Sequence, residues 1–350
     1  MTPNDNMLQA SPAYPKVSVV IPAYNAASFI SNTVQSVLNQ SAPVHEILVV
    51  DDGSKDATSE AAIQFGGIVR CLSKPNGGPA SARNWGIRAA TGDWVAFLDA
   101  DDQWLTDKIE KQLMLLKQTG ADLVSSDALL VDGNSAKTTW LRHTGIWPRL
   151  EPLSGAKLLP NPFDLLLRVG CFLLPSMVLL RRELLISVGY FDENMHGTED
   201  IDLWLRLALR SRIAIHPEAL TVRRIHEGNL TANPARMLSE KIKVWEKVRH
   251  YPEVTSNPVW NSLVLKRMAE DYWHQGFWML QANDPQAARR SWRQSLRSSF
   301  SFRVLAYLSI TYLPNGFVEI LRKAKGQISR ASTTPAVGGE ALPLKSTRRS

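Results

Sequence analysis

Cysteine is almost missing from this chain of 350 residues, which holds only Cys71 and Cys171. Two cysteines so far apart exclude a disulfide framework and a Cys-rich zinc site, and a reducing compartment is the simpler setting. Long apolar runs are lacking too. Met1 to Pro15 is polar, without the positive flank and apolar core of an export signal. The most apolar late stretch, Val304 to Leu313, has about half of the ~20 residues that cross a bilayer, and it ends at Pro314. The expectation is a chain without a signal peptide that does not span a membrane by itself. No Gly-x-Gly-x-x-Gly follows the first strand-like run and no Gly-x-x-x-x-Gly-Lys-Ser/Thr occurs, which argues against a dinucleotide fingerprint and a P-loop.

What is present suits a folded chain: 44% apolar and 21% charged residues allow one large domain with an appendage, or two domains. The charge is uneven. From Glu240 onward there are 18 Lys/Arg against 8 Asp/Glu, a net of +10, whereas the preceding residues net −3. Any basic partner surface therefore belongs to the last third of the chain.

Val17 to Ile21 is a β-branched run between Pro15 and Pro22, the pattern of a strand buried on both faces of a parallel sheet. A helical period over Phe29–Asn39 and a second apolar run, Glu46–Val50, complete a βαβ unit. The alternation continues with a helix over Asp56–Phe65, a strand over Ile68–Ser73, a helix over Ala80–Ala90 and a strand over Trp94–Leu98. The predicted class is α/β with a doubly wound, mainly parallel sheet. Further on, the pattern predicts a helix over Lys108–Gln118, a short strand over Leu123–Ser126, and a loop-rich stretch from Asp132 to Pro162. Strands are expected over Pro175–Arg181, Ile213–Ile215 and Leu220–Ile225, with helices over Arg182–Val188 and Asp200–Arg210. After Ala232 only helices are predicted, over Lys241–His250, Ser262–Gln281, Pro285–Ser298 and Phe302–Leu313.

In open parallel sheets ligands bind beyond the carboxyl ends of the strands. Three such ends are polar here: Pro22-Ala23-Tyr24-Asn25, Asp51-Asp52-Gly53-Ser54 and Asp99-Ala100-Asp101-Asp102. An Asp-x-Asp at a strand end supplies hard oxygen ligands for Mg²⁺ or Mn²⁺ when substrate phosphates fill the remaining positions. The bland alternative is that these aspartates only cap a turn.

The segments VSVVIPAYNAASFI, EILVVDDGSKDAT, NGGPASARNWGI, GDWVAFLDADDQW and TEDIDLWLRL stand in this order along the chain. Together they resemble the family 2 nucleotide-sugar glycosyltransferases with the GT-A fold, over approximately Lys16 to Leu230. The resemblance implies transfer of a sugar from a nucleotide diphosphate sugar, expected to be a UDP sugar, to an acceptor hydroxyl with inversion at the anomeric carbon. It also implies site residues. Pro22, Ala23 and Tyr24 would border the nucleoside, Asn25 would belong to the donor site, and Asp52 would read the base by accepting the imide N–H of uracil. Gly78, in the Asn76–Pro79 turn, would allow close backbone approach, and Arg83 would face the diphosphate or ribose. Asp101 would be the direct metal ligand with Asp99 or Asp102 assisting, the two unranked. Asp200 matches the general base, Glu199 an orienting neighbour or acceptor contact, and His196 an acceptor contact, with a surface role also open. His226 would be a metal or diphosphate contact, and the cofactor a divalent metal, Mn or Mg.

The organisation expected from this is a flexible N-terminus (1–15), a GT-A domain (16–235), a helical subdomain (236–325) and a disordered basic tail (326–350). Within the helical part, Ala269–Trp292 resembles one tetratricopeptide-like hairpin. Val304–Leu313 with Arg322, Lys323 and Lys325 could lie on an anionic membrane, or be a packed helix with a solvated basic face. The partners expected are a nucleotide-sugar donor and a glycan or lipid-linked acceptor, with no nucleic acid. The setting expected is cytoplasmic, with a peripheral contact at the inner face of the plasma membrane. A sugar-1-phosphate nucleotidyltransferase would need a Gly-rich basic loop where PAYNAA stands. A paired-carboxylate glycosidase would leave the metal motif unexplained. A non-catalytic docking protein on a transferase fold is the remaining alternative.

Overall fold

The β-branched run after Pro15 opens the first strand of a computed structural model that describes residues 15–133, 135–150, 158–225 and 234–312. In chain order the first elements are β1 (Val17–Ala23), α1 (Ile30–Leu38), β2 (Glu46–Asp51), α2 (Thr58–Ile63), β3 (Val69–Ser73) and α3 (Gly78–Ala89). Next come β4 (Trp94–Phe97), β5 (Gln103–Trp104), α4 (Lys108–Thr119), β6 (Leu123–Asp132), β7 (Ser135–Thr139), α5 (Trp140–His143), α6 (Trp147–Leu150) and α7 (Pro162–Val169). Then follow β8 (Val178–Arg181), α8 (Arg182–Val188), α9 (Glu199–Ala208) and β9 (Ile213–Ile225). The last helices are α10 (Pro234–Val248), α11 (Pro252–Thr255), α12 (Pro258–Gln281), α13 (Pro285–Ser298) and α14 (Phe302–Ile310). Two compact units form. The first takes the described residues of Met1–Leu129, Leu174–Tyr190 and Ser211–Arg224, the second those of Leu130–Leu173, Phe191–Arg210 and Ile225–Ser350.

The first unit is built on a mixed sheet in the order β3-β2-β1-β4-β8-β6-β9-β5. The β1–β2, β2–β3 and β1–β4 pairs are parallel, whereas β4–β8, β6–β8 and β5–β9 are antiparallel. Because β1 has β2 on one side and β4 on the other, the winding reverses at β1, and a crevice opens at its carboxyl end. Ala23 pairs with Asp51, and Asp51 with Ser73, so these ends are level. Helix α3 packs on β1 through Gly86, where a Cβ would stand 2.3 Å from Val20 Cγ1.

Several elements differ from the sequence expectation for identifiable reasons. Strand β6 runs on past Ser126 to Asp132, because Ser125, Ser126 and Asp127 are buried with local hydrogen bonds where their polarity suggested a strand end. Ile213–Ile215 and Leu220–Ile225 join into one strand through Pro217, which lies ahead of the pairing of Thr221 and Val222 with β5. Pro175–Met177 is a single 3-10 turn, and only Val178–Arg181 extends as a strand. Asn161 caps α7 by accepting from Asp164 N at 3.1 Å.

In the second unit α12 and α13 form a tight hairpin. Asn283 takes φ +64°, Asp284 N donates to Met279 O at 2.9 Å, and the Asp284 carboxylate caps α13 through Ala287 N at 2.8 Å. At Gly276 a Cβ would lie 2.4 Å from Trp292 Nε1, so the glycine lets the buried Trp292 ring seat against α12. Leu280, Ala288, Trp292 and Val304 are buried together, with Trp273, Phe277 and Tyr307 packed against them. Val304 thus faces the helical core, as the packed-helix reading of this stretch requires. Among the described residues no helix is long and apolar enough to cross a membrane. The expectations for residues 1–14 and 326–350, and for Arg322, Lys323 and Lys325, lie outside the described residues.

Replacing Gly86 by Ala should force Val20 or α3 to move and cost about 1–3 kcal/mol in urea unfolding, the range for overpacking. The double variant Gly86→Ala/Val20→Ala should lose less than the sum of the single losses. Strict additivity would show that the two positions do not share this contact.

Candidate functional site

The loops after β1 and β2 are stitched to one another. Asp52 N donates to Ala23 O at 2.8 Å, Asn25 N to Ser54 Oγ at 2.9 Å, and Lys55 N to Asn25 Oδ1 at 2.9 Å. Asn25 holds φ +51°, a left-handed conformation that Asn tolerates. Ala23 is buried, Pro22 is half-buried, and the Tyr24 ring stands 49% exposed at the rim. Gly53 combines φ +78° with close backbone approach, since a Cβ there would lie 2.9 Å from Asn76 N.

Asp51 and Asp52 are both buried but do different work. Asp51 accepts from Ser54 N at 2.9 Å and from Ser59 Oγ, and so fixes its own loop. Asp52 accepts from Lys74 Nζ at 2.5 Å, from Gly77 N at 3.0 and 3.2 Å, and from Gly78 N at 2.7 Å. Its carboxylate thereby folds the Lys74–Gly78 turn onto the end of β2, and Gly78 there takes φ +85°.

The third loop concentrates negative charge. Asp99 and Asp101 are half-exposed and Asp102 is buried. Arg83 reaches from α3 to give Asp99 Oδ1 an ion pair at 2.8 Å, with the Arg83 side chain only 6% exposed. Ser176 Oγ donates to Asp102 Oδ2 at 2.6 Å and accepts from Asp99 N at 3.0 Å, so one hydroxyl clamps both ends of the turn. Arg224 N lies 3.3 Å from Asp102 Oδ1. Thr33 Oγ1 holds the backbone from the other side, 2.7 Å from Ala100 O and 2.9 Å from Asp102 O. Burial, then the charges of Asp99 and Asp101, push the Asp102 carboxyl well above the usual carboxylate range, against the Ser176 hydrogen bond and the charge of Arg223.

This donor set suits a hard divalent cation. Asp99 and Asp101 offer carboxylate oxygens at a partly open edge, while both Asp102 oxygens are engaged with Ser176 and Arg224. Among the described residues no three His, Cys, Asp or Glu side chains converge to cage an ion. His226 lies outside the described residues.

The remaining expected residues belong to the second unit. Thr198 is the N-cap of α9, and Glu199, buried in its first turn, accepts from Gly197 N at 2.7 Å. Asp200 is half-exposed and accepts from Ile201 N at 2.7 Å, at the helix end where the dipole favours a carboxylate. Burial, and next the Asp200 charge, push the Cys171 thiol up, which keeps it protonated. Asp202, by contrast, is fully buried between Arg206 at 2.7 Å and Lys247 at 2.9 Å. His196 is exposed, and its backbone N lies 3.4 Å from Glu240 Oε2.

Pro22–Asn25, Asp52, Gly78, Arg83, Asp99, Asp101 and Asp102 thus belong to one unit, and His196, Glu199 and Asp200 to the other. Sequence reasoning missed Lys74, Thr33 and Ser176. Each acts through partners distant in sequence, Ser176 across more than seventy residues, and a lone Ser or Lys carries no local signal of that. Lys108 was missed as well. Its Nζ is buried 4.1 Å above the Trp104 ring and donates to Gln112 Oε1 at 2.7 Å. Gln112 Nε2 bonds Met177 O at 2.8 Å and Trp104 Nε1 bonds Ser176 O at 2.9 Å, so this group braces the segment that carries the clamping serine.

Comparison with known proteins gives a consistent picture. The family model described as Glycosyl transferase family 2 matches residues 18–189. An uncharacterized glycosyltransferase of Rickettsia typhi is 33% identical over 235 residues, 66% of this chain and 70% of that protein. The amylovoran biosynthesis glycosyltransferase AmsB of Erwinia amylovora is 35% identical over 205 residues, 54% of this chain and 62% of that one. Over 129 residues, 34% of this chain and 51% of the relative, the putative teichuronic acid biosynthesis glycosyltransferase TuaG of Bacillus subtilis is 41% identical. Among solved structures, S. aureus TarS 1–349 with UDP-GlcNAc matches with a TM-score of 0.63 at 19% identity, covering 83% of each chain. The mannosyltransferase PcManGT of Pyrobaculum calidifontis, with GDP-Man and Mn²⁺, matches with a TM-score of 0.56 at 18% identity, covering 91% of this chain and 87% of that one. The last two likenesses show the GT-A fold.

Burial holds the Lys108 ammonium well below the ordinary lysine range. Between that lowered value and the unfolded value of about 10.4, the unfolded chain binds more protons than the folded one, so stability rises with pH. Lys108→Met lacks this gain. Urea midpoints measured from neutral to alkaline pH should therefore shift in favour of wild type relative to the variant as pH rises. Equal pH slopes would show an ammonium with its ordinary affinity for a proton.

Proposed function

The chain belongs to glycosyltransferase family 2, and from that premise we propose that it moves a sugar from a uridine diphosphate sugar to a hydroxyl of a glycan or lipid-linked acceptor, inverting the anomeric carbon. The product is assigned to surface polysaccharide, with support from relatives named for amylovoran and teichuronic acid biosynthesis, and the setting to the cytoplasm. The observation that carries the reading is the turn Asp99–Asp102, three carboxylates held at the end of β4 beside the buried Arg83. Such a concentration of negative charge next to a diphosphate needs a cation.

As the glycosidic bond breaks, negative charge grows on the diphosphate and positive character on the anomeric carbon. A divalent metal, Mn or Mg, held by Asp101 would supply the charge that stabilises the leaving diphosphate. Asp99 is assigned the assisting role, because Asp102 has both oxygens engaged and instead supports the turn. His226 keeps its place as a metal contact from the sequence resemblance alone. Arg83, anchored on Asp99, faces the diphosphate or ribose. Pro22, Ala23 and Tyr24 border the nucleoside, with Asn25 in the same donor site. Asp52 orients the Gly77 and Gly78 amides, and it reads the uracil imide by exchanging one of the bonds it now accepts. Asp200, kept ionised by its place at the start of α9, removes the proton of the attacking hydroxyl, with Glu199 orienting that turn and His196 near the acceptor. No covalent enzyme nucleophile is required.

Binding of UDP should depend on divalent metal. Calorimetry with Mn²⁺ should give tighter binding than with chelator, and Asp101→Ala should lose most of that difference. Equal affinity under both conditions would remove the metal from the reading.

Asp200→Asn should bind UDP as wild type does and lose transfer by ~10²–10⁴, the usual cost of a missing general base. The readout is turnover with a panel of nucleotide sugars and a verified acceptor. Near-normal turnover by the variant would take the base role away from Asp200.

A further inference from the structure

The helix that buries Val304 turns a second apolar face outward. Phe302, Leu305, Ala306 and Ser309 recur at helical spacing and are all exposed, Phe302 to 79% and Leu305 to 41%. Phe300, 63% exposed, packs edge-on against Phe302 with ring centroids 4.9 Å apart, and Tyr312 is 55% exposed at the other end. Four large apolar or aromatic side chains in one short corner exceed the scattered exposure that a solvated surface shows.

Beside this face runs a basic one. Residues 285–312 contain five arginines and no Asp, Glu or Lys. Arg290, Arg293 and Arg297 are exposed at a spacing that aligns them along one side of α13. The two faces meet at Tyr312, whose hydroxyl accepts from Arg293 Nη2 at 2.5 Å and whose ring lies 4.2 Å from the Arg289 guanidinium. Apolar rings with a bordering row of guanidinium groups match the depth profile of a bilayer surface, acyl chains below and phosphate headgroups above.

We propose that the α13–α14 corner docks the enzyme on an anionic lipid surface, with Phe300, Phe302, Leu305 and Tyr312 entering the headgroup boundary and Arg290, Arg293 and Arg297 pairing with lipid phosphates. The inference deepens the proposed transfer to a lipid-linked acceptor and rests on that reading for its purpose. The docking chemistry itself is independent of transfer.

The test is co-sedimentation of the full chain with vesicles of phosphatidylcholine alone and of phosphatidylcholine with phosphatidylglycerol. Wild type should bind the anionic vesicles, bind neutral ones weakly, and release as salt is raised. Replacing Arg290, Arg293 and Arg297 with Gln should weaken anionic binding about a hundredfold, at about fivefold per cation. Phe300→Ser/Phe302→Ser changes only exposed rings and should weaken it at least tenfold, with an unchanged melting temperature as the check on folding. Asp200→Asn should bind vesicles like wild type. Vesicle binding that fails while transfer to a soluble acceptor persists would overturn the docking and leave the transferase reading standing. Binding indifferent to lipid charge, or equal in both surface variants, would also overturn it. So would concentration-dependent self-association, or RNA binding, that the phenylalanine variant abolishes without any vesicle binding by wild type.

Discussion

Three carboxylates in four consecutive residues repel one another, and the first unit is arranged around holding them still. Asp99, Asp101 and Asp102 sit where the parallel run of β1 and β4 ends, and four surrounding segments each contribute a restraint. Helix α3 brings Arg83, α1 brings Thr33, the turn before β8 brings Ser176, and β9 brings the Arg224 amide. These restraints are unequal in kind. Arg83 offsets the repulsion with a full charge, Ser176 steadies the Asp102 carboxylate with a donated hydrogen bond, and Thr33 holds the backbone. The raised carboxyl of Asp102 records what repulsion and burial remain. Asp99 and Asp101 are the half-exposed members of the turn, and the proposed cation would meet them first.

The parallel half of this arrangement was legible because burial on both faces writes itself into the chain as near-continuous apolar runs. Val17–Ile21, Glu46–Val50 and Trp94–Leu98 were each recognisable for that reason, and their polar ends marked the functional loops. The antiparallel half was harder to read. Strand β6 buries Ser125, Ser126 and Asp127, and β9 runs through Pro217, so neither carries the alternation that identifies a strand. The bracing contacts were not legible at all. Ser176 meets Asp102, and Gln112 meets Met177, only because β8 returns antiparallel beside β4 and places the preceding turn under the aspartates.

The second unit shows the limit of reading roles from a motif. Thr198 to Asp202 offers three acidic side chains within one turn and a half, and the sequence pattern alone favours Asp200. The surroundings separate them physically. Asp202 has no exposure and two cations, the condition of a structural ion pair whose partners cannot be removed cheaply. Glu199 is turned back onto the Gly197 amide. Asp200 keeps a half-exposed carboxylate at the positive end of a helix.

The interleaved Trp and Arg of the last helices follow the same logic of sorting by burial. Trp292 is buried against Gly276, Trp273 stacks with Phe277, and the Trp260 ring packs on Phe163 while its Nε1 bonds Asp164. Trp292 is therefore core material, while Trp273 and Trp260 are half-buried against their neighbours. The surface keeps Trp278, 40% exposed on α12, and beyond it the arginines along α13 and the phenylalanines at its end. A helical subdomain this small could have kept its rings inside and its outer face mixed in charge. That it excludes acidic residues over 285–312 while exposing Phe300 and Phe302 is a property of its surface that its own packing does not require.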